Sequence, residues 1–151
     1  MIAKATAIQH GQAMTNYATK NNRADIVKTN HLSEGLPPMG MWDEMVLHQS
    51  MFKQRYAKKP IELTSIRFEI SPSEEEARNW SMEDWHRCLE EFIREIDAIS
   101  RVDHIGKRKG KTATSVRPTN IANSQYFAAI HRDSKSGIPH LHLVVNRIDM
   151  D

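Results

Sequence analysis

Residues His131–Asn146 read HRDSKSGIPHLHLVVN, and the folding of this run decides what the rest of the chain is built to carry. In an extended strand successive side chains point to opposite faces, so His140, His142 and Asn146 share one face while Leu141, Leu143 and Val145 share the other. The preceding run, Ser124 to Ile130, also reads as a strand, and Arg132 to Pro139, with Gly137 inside it, reads as the long loop of a hairpin. Such a hairpin brings His131 beside the His-x-His pair. Three neutral imidazoles on one sheet face make a half-built metal site, with positions left open for water or substrate. A lone histidine is ordinarily a surface residue or a satisfied core residue, and the chain has eight histidines. Spacing sets these three apart: two on one strand face and a third across a hairpin point to ligands. The pattern alone selects neither the metal nor the reaction.

The polar counterpart of this strand lies upstream. After Pro60 comes IELTSIRFEI, a strand in which Ile66, Phe68 and Ile70 mark a core face and Ser65, Arg67 and Glu69 a polar one. A sheet with one apolar and one ionisable face is either wet on that side or chemically active there. Between these strands, Ser71-Pro72-Ser73-Glu74 carries a helix-start signature: a capping serine, proline at the first position and glutamate three residues on. Ser81 and Asp84 repeat that logic for a longer helix, whose stripe of Trp85, Leu89, Phe92, Ile96 and Ile99 is expected to pack on the apolar sheet face. Nearer the start, Ile2 to Ile8 alternates as a strand. Gln12 to about Lys28 reads as a helix on Ala13, Met14, Tyr17, Ala18 and Ala24. Asn30 to Gly40, with Pro37 and Pro38, reads as a loop. Met41 to about Tyr56 reads as a second helix with a stripe of Trp42, Met45, Val46, Phe52 and Tyr56. The pattern predicts an α+β domain: a central antiparallel sheet with helices packed on one face and a three-histidine site on the other.

A length of 151 residues fits one domain with a real core, and 39% hydrophobic with 26% charged residues is an ordinary globular balance. No apolar run is long enough for a membrane span, and MIAKATAIQHGQ lacks a signal-peptide layout, so cytoplasmic location is the expectation. The single cysteine, Cys88, excludes an intramolecular disulfide and suits a reducing compartment. The net charge of +2 hides segregation. Glu74 to Asp97 holds nine acidic and three basic residues, whereas Arg101 to Arg117 holds six basic residues and one acid, Asp103. Residues 101–120, basic and glycine-punctuated, read as a loop or excursion that suits a polyanion, or simply as a solvated charged segment.

The run His131-x-Asp133 followed by His140-x-His142 and Asn146-Arg147 resembles the metal motif of relaxases, the mobilisation nucleases of the HUH endonuclease group. AIQHGQAMTNYATKNNRADIVKTNHL resembles the N-terminus of their mobilisation branch, and looser similarity through WDEM and RFEISPSEEEARNWSMEDWHRCLEEF extends it over most of the chain. The resemblance implies a bacterial enzyme that nicks and rejoins one DNA strand at a transfer origin through a 5′-phosphotyrosine. It implies Tyr17 as nucleophile, His131, His140 and His142 as ligands of a divalent ion (magnesium or manganese), and single-stranded or hairpin DNA as substrate. Accessory mobilisation proteins and a secretion coupling protein are the implied partners. Asp133 belongs to the motif and is placed behind the ligands, a role for which Glu69 is also a candidate. Arg67, Lys107, Arg108, Lys109, Lys111 and Arg117 are the candidate DNA contacts. Tyr126, five residues before His131, falls on the opposite strand face and reads as core, and Tyr56 reads as helix packing. Because some relaxases use a histidine nucleophile, His10 and His31 stand as alternatives to Tyr17. Relatives continue past the last strand, so residues 1–151 are expected to be one nuclease domain of a longer chain. Three alternatives fit the same residues: a replication-initiation nuclease of the same group, a non-catalytic DNA-binding module with a structural metal, and a metal hydrolase of small phosphate esters.

Overall fold

The computed structural model describes residues 1–8, 24–55, 65–99, 119–132 and 137–150. Within them the order is β1 (Ile2–Ile8), β2 (Ala24–Asn30), α1 (Pro38–Arg55), β3 (Ser65–Ser71), α2 (Glu74–Asn79), α3 (Met82–Ala98), a 3-10 turn (Ile121–Asn123), β4 (Ser124–His131) and β5 (His140–Asp149). The strands form one antiparallel sheet in the order β1-β3-β5-β4-β2. The two histidine-bearing strands therefore lie inside the sheet, with β5 at its centre. A helix expected from Gln12 to Lys28 is corrected over its last five residues, which belong to β2. There the β-branched Ile26 and Thr29 pair with β4, Val27 sits at a bulge between Ile26 and Lys28 and packs against the core, and that packing outweighs the helix-forming alanine. The first part of that helix lies outside the described residues.

One apolar layer is formed by Phe68, Ile70, Tyr126, Ala128, Ile130, Leu141, Leu143 and Val145 from the sheet, covered by Trp85, Leu89 and Ile93 of α3. Phe92 and Ile96 pack against its margin, so the expected stripe on this helix is largely borne out. Ile99 is the C-cap, its N–H bonded 3.2 Å from the Ile96 carbonyl. Ser81 and Asp84 form the expected capping box, which satisfies two otherwise orphaned backbone donors. In α2 the signature is offset by two residues: Ser73, not Ser71, caps, with Glu76 closing the box and Pro72 lying before the cap.

The helices do not share one face. Met41 and Met45 of α1 pack on Phe127, Ala129 and Val144, side chains of the opposite layer. That is the histidine face, so the expected arrangement of helices on one side and chemistry on the other is corrected. The apolar residues Phe127, Ala129 and Val144 continue the histidine rows away from the hairpin, and an uncovered patch of that kind would remain wet without α1. Pro38 is the first residue of α1, not loop, because a proline there forfeits no helical hydrogen bond. Among the described side chains of α1 the buried ones are Met41, Met45 and Gln49, whereas Val46, read as stripe, is exposed. Among the described residues no helix is long and apolar enough to cross a membrane.

Candidate metal centre

His131 and His140 face each other directly across the β4–β5 ladder, and His142 sits opposite Ala129 on one side and Glu69 of β3 on the other. Alternation places all three imidazoles on one face at the hairpin end of the sheet. Gly137, shortly before β5, has φ +69, a left-handed conformation that glycine takes without steric cost. The ring centroids stand 5.0 Å (His131–His140), 5.3 Å (His131–His142) and 4.6 Å (His140–His142) apart. One nitrogen from each ring lies within 4.8 Å of the others. His131 and His142 are buried, at 5% and 0% exposure, and His140 is half-buried and gives the site its opening.

The protons on these rings follow from their neighbours. His140 Nδ1 stands 3.3 Å from the Ile138 carbonyl, which can only accept, so that nitrogen donates and the Nε2 lone pair faces the cluster. His131 Nδ1 donates to that Nε2 at 3.3 Å, a bond that a cation would replace. Burial, with the adjacent His140, His131 and Arg67, holds the pKa of His142 down at about 3. The ring is therefore neutral and a competent ligand at physiological pH. The donor set fits a borderline transition ion, since imidazole suits zinc, copper, iron and nickel and a carboxylate draws manganese or magnesium.

The depressed pKa has a consequence for stability. In the unfolded chain the ring takes a proton near pH 6.5, whereas the folded protein withholds it until about pH 3. The contribution of His142 to stability should be constant above pH 6.5 and fall by about 1.4 kcal/mol per pH unit between there and about pH 3. Urea midpoints in the presence of a chelator, taken between pH 7.5 and 5, should drop more steeply for wild type than for His142→Gln. Parallel slopes would remove His142 as the cause.

The other expected residues divide. Glu69 is at the site, its Oε1 3.9 Å from His142 Nε2, and it pairs with Arg67 at 3.4 Å. Arg67 lies on the same face, opposite Val144 and Thr6. His31 does not join the centre. It follows Asn30, which pairs with Tyr126, whereas His131 pairs with Ala24 at the other end of β2. Tyr126 is buried in the opposite layer as expected. Tyr17, His10, Tyr56, Asp133, Lys107, Arg108, Lys109, Lys111 and Arg117 lie outside the described residues.

Sequence reasoning placed Asn146 on the histidine face but missed Gln49 and Gln125, its side-chain partners. The Asn146 Oδ1 accepts from Gln49 Nε2 at 2.7 Å, and its Nδ2 donates to the Met45 carbonyl at 3.2 Å and to Gln125 Oε1 at 3.0 Å. Gln49 was detectable as the polar member of the four-residue step Met41, Met45, Gln49 on α1. Lys4, opposite Glu69, is an exposed cation on the histidine face, and its place was readable from the alternation of β1.

Comparison of the chain with protein-family models, with curated proteins and with solved structures finds no match.

Proposed function

We propose that the protein is a metal-dependent DNA strand transferase of the relaxase kind, nicking and rejoining one strand at the transfer origin of a mobilisable element. The observation that carries this reading is the convergence of His131, His140 and His142 within 4.8 Å on one sheet face, open through His140. Bound there, a divalent ion would polarise a phosphodiester and stabilise the charge that builds on its nonbridging oxygens. The chain's own groups supply the rest. The three neutral imidazoles leave the ion its full charge, and Arg67 and Lys4 offer phosphate contacts on the same face.

Tyr17 is the nucleophile in this reading. The phenol loses its proton as its oxygen bonds to phosphorus. The bond to the 3′ oxygen breaks, and that oxygen takes up a proton to leave a free hydroxyl. Because the strand end is stored as a phosphotyrosine ester, the reverse attack reseals the DNA. An ordinary tyrosine titrates near pH 10, so a nearby base or positive field is needed at neutral pH. Tyr17 lies seven positions before Ala24, which pairs with His131. An extended chain of that length spans roughly 23–25 Å, ample reach to the centre.

The test is incubation with single-stranded origin DNA and manganese, followed by a denaturing gel. A covalent protein–DNA band is expected from wild type and none from Tyr17→Phe, with DNA binding by that variant largely retained. An undiminished adduct from the phenylalanine variant overturns Tyr17 as nucleophile. The burial of His131 and His142 favours a second reading, a DNA-binding module in which the ion is structural. That reading requires binding without any adduct and a large fall in thermal stability on chelation.

A further inference from the structure

Among the described residues, Glu69 is the carboxylate closest in register to the imidazoles. It stands directly opposite His142 on the β3–β5 ladder, and alternation puts it on the same face. Its Oε1 is 3.9 Å from His142 Nε2 and 3.4 Å from Arg67 Nη2. At 3.9 Å the carboxylate makes no hydrogen bond to the imidazole, so it does not orient that ring directly. The separation is about 0.5 Å longer than the edge between two ligands of one tetrahedral ion, a gap that a small turn of the Glu69 side chain closes. Donors each about 2.0–2.2 Å from a cation stand about 3.0 Å apart in an octahedron and about 3.4 Å apart in a tetrahedron. Both distances are to Oε1, so ligation by that oxygen would pass the Arg67 pair to Oε2, the second oxygen of the same carboxylate.

Charge argues the same way. A dication among neutral imidazoles beside Arg67 adds positive charge to a partly buried face, and a carboxylate at that position offsets it. Ligand chemistry then says which ions benefit. An all-nitrogen set favours zinc, copper and nickel, and an oxygen anion raises the standing of harder ions such as manganese.

We propose that Glu69 is a fourth protein ligand, completing a three-imidazole, one-carboxylate site that raises manganese(II) affinity relative to zinc(II). This rests on the reading that the histidines hold an ion, but not on the DNA chemistry. The experiment is calorimetric titration of the DNA-free protein with manganese(II) and, separately, with zinc(II), for wild type and Glu69→Gln. The variant is expected to bind manganese roughly tenfold or more weakly, the scale on which even indirect partners of a metal act. Its zinc affinity is expected to stay within about threefold of wild type, because the imidazoles suffice for that ion. Equal losses for both ions, the mark of a group that merely orients His142, would overturn the proposal, as would no loss for either. An independent check on wild type, which requires no variant to fold, is the infrared carboxylate stretch: a shift on manganese addition is expected, and an unchanged band counts against ligation. Should wild type bind neither ion, the metal centre itself fails. If wild type binds both and Glu69→Gln matches it, only the fourth ligand fails.

Discussion

His142→Ala is expected to weaken manganese binding by roughly 100-fold or more, beyond the losses typical of groups that only support a ligand. His142 is the only one of the three imidazoles with no exposure, and it stands between β4 and β3 with a ring 4.6 Å from that of His140. Removing it leaves His131 and His140 as a pair joined by their own hydrogen bond, a poorer chelate with the inner donor gone. Under the proposed function the same variant should also lose the covalent DNA product. Calorimetry with manganese and the denaturing-gel assay check the two expectations separately. Retained metal affinity would mean that the ion, if any, is bound elsewhere.

Trp85→Ala is expected to cost about 3–5 kcal/mol, a large part of the ~5–15 kcal/mol by which single domains are stable. Trp85 has no exposure, lies at the centre of the larger apolar layer, and meets Trp80 edge-on with centroids 4.9 Å apart and planes at 78°. Its indole Nε1 is buried without a hydrogen-bond partner among the described residues, so truncation also removes a desolvation penalty. The loss should therefore fall in the lower half of that range. Trp85→Phe, which keeps much of the ring and drops the nitrogen, should cost markedly less. Urea unfolding followed by circular dichroism measures both, and near-equal stabilities for the two variants would contradict this account.

The histidine hairpin was legible because a period of two leaves few alternatives: the apolar Leu141, Leu143 and Val145 had to face a core, which forced His140 and His142 together. Both capped helices carried local chemistry near their starts, although in α2 two serines competed and the nearer one won. Ala24 to Lys28 misled because a short run ahead of a loop holds both helix formers and β-branched residues. Only its partner strand, a hundred residues on, decides between them. The seat of α1 was hidden for a similar reason. Its best apolar stripe on paper includes Val46, but the face that docks carries Gln49 beside Met41 and Met45, and the Gln49 amide donates to Asn146. No count of apolar residues registers that bond.

The side chains behind the metal centre have a directional consequence. Gln49 donates to Asn146, Asn146 donates to Gln125, and Gln125 Nε2 donates to the His31 carbonyl at 3.2 Å, so three amides point head to tail from the first helix to the exit of the second strand. Turning any one of them would set nitrogen against nitrogen or oxygen against oxygen at a neighbour. The relay thus has a single polarity that its members hold or lose in concert, and it keys the helix to the central strand at one setting along their shared length.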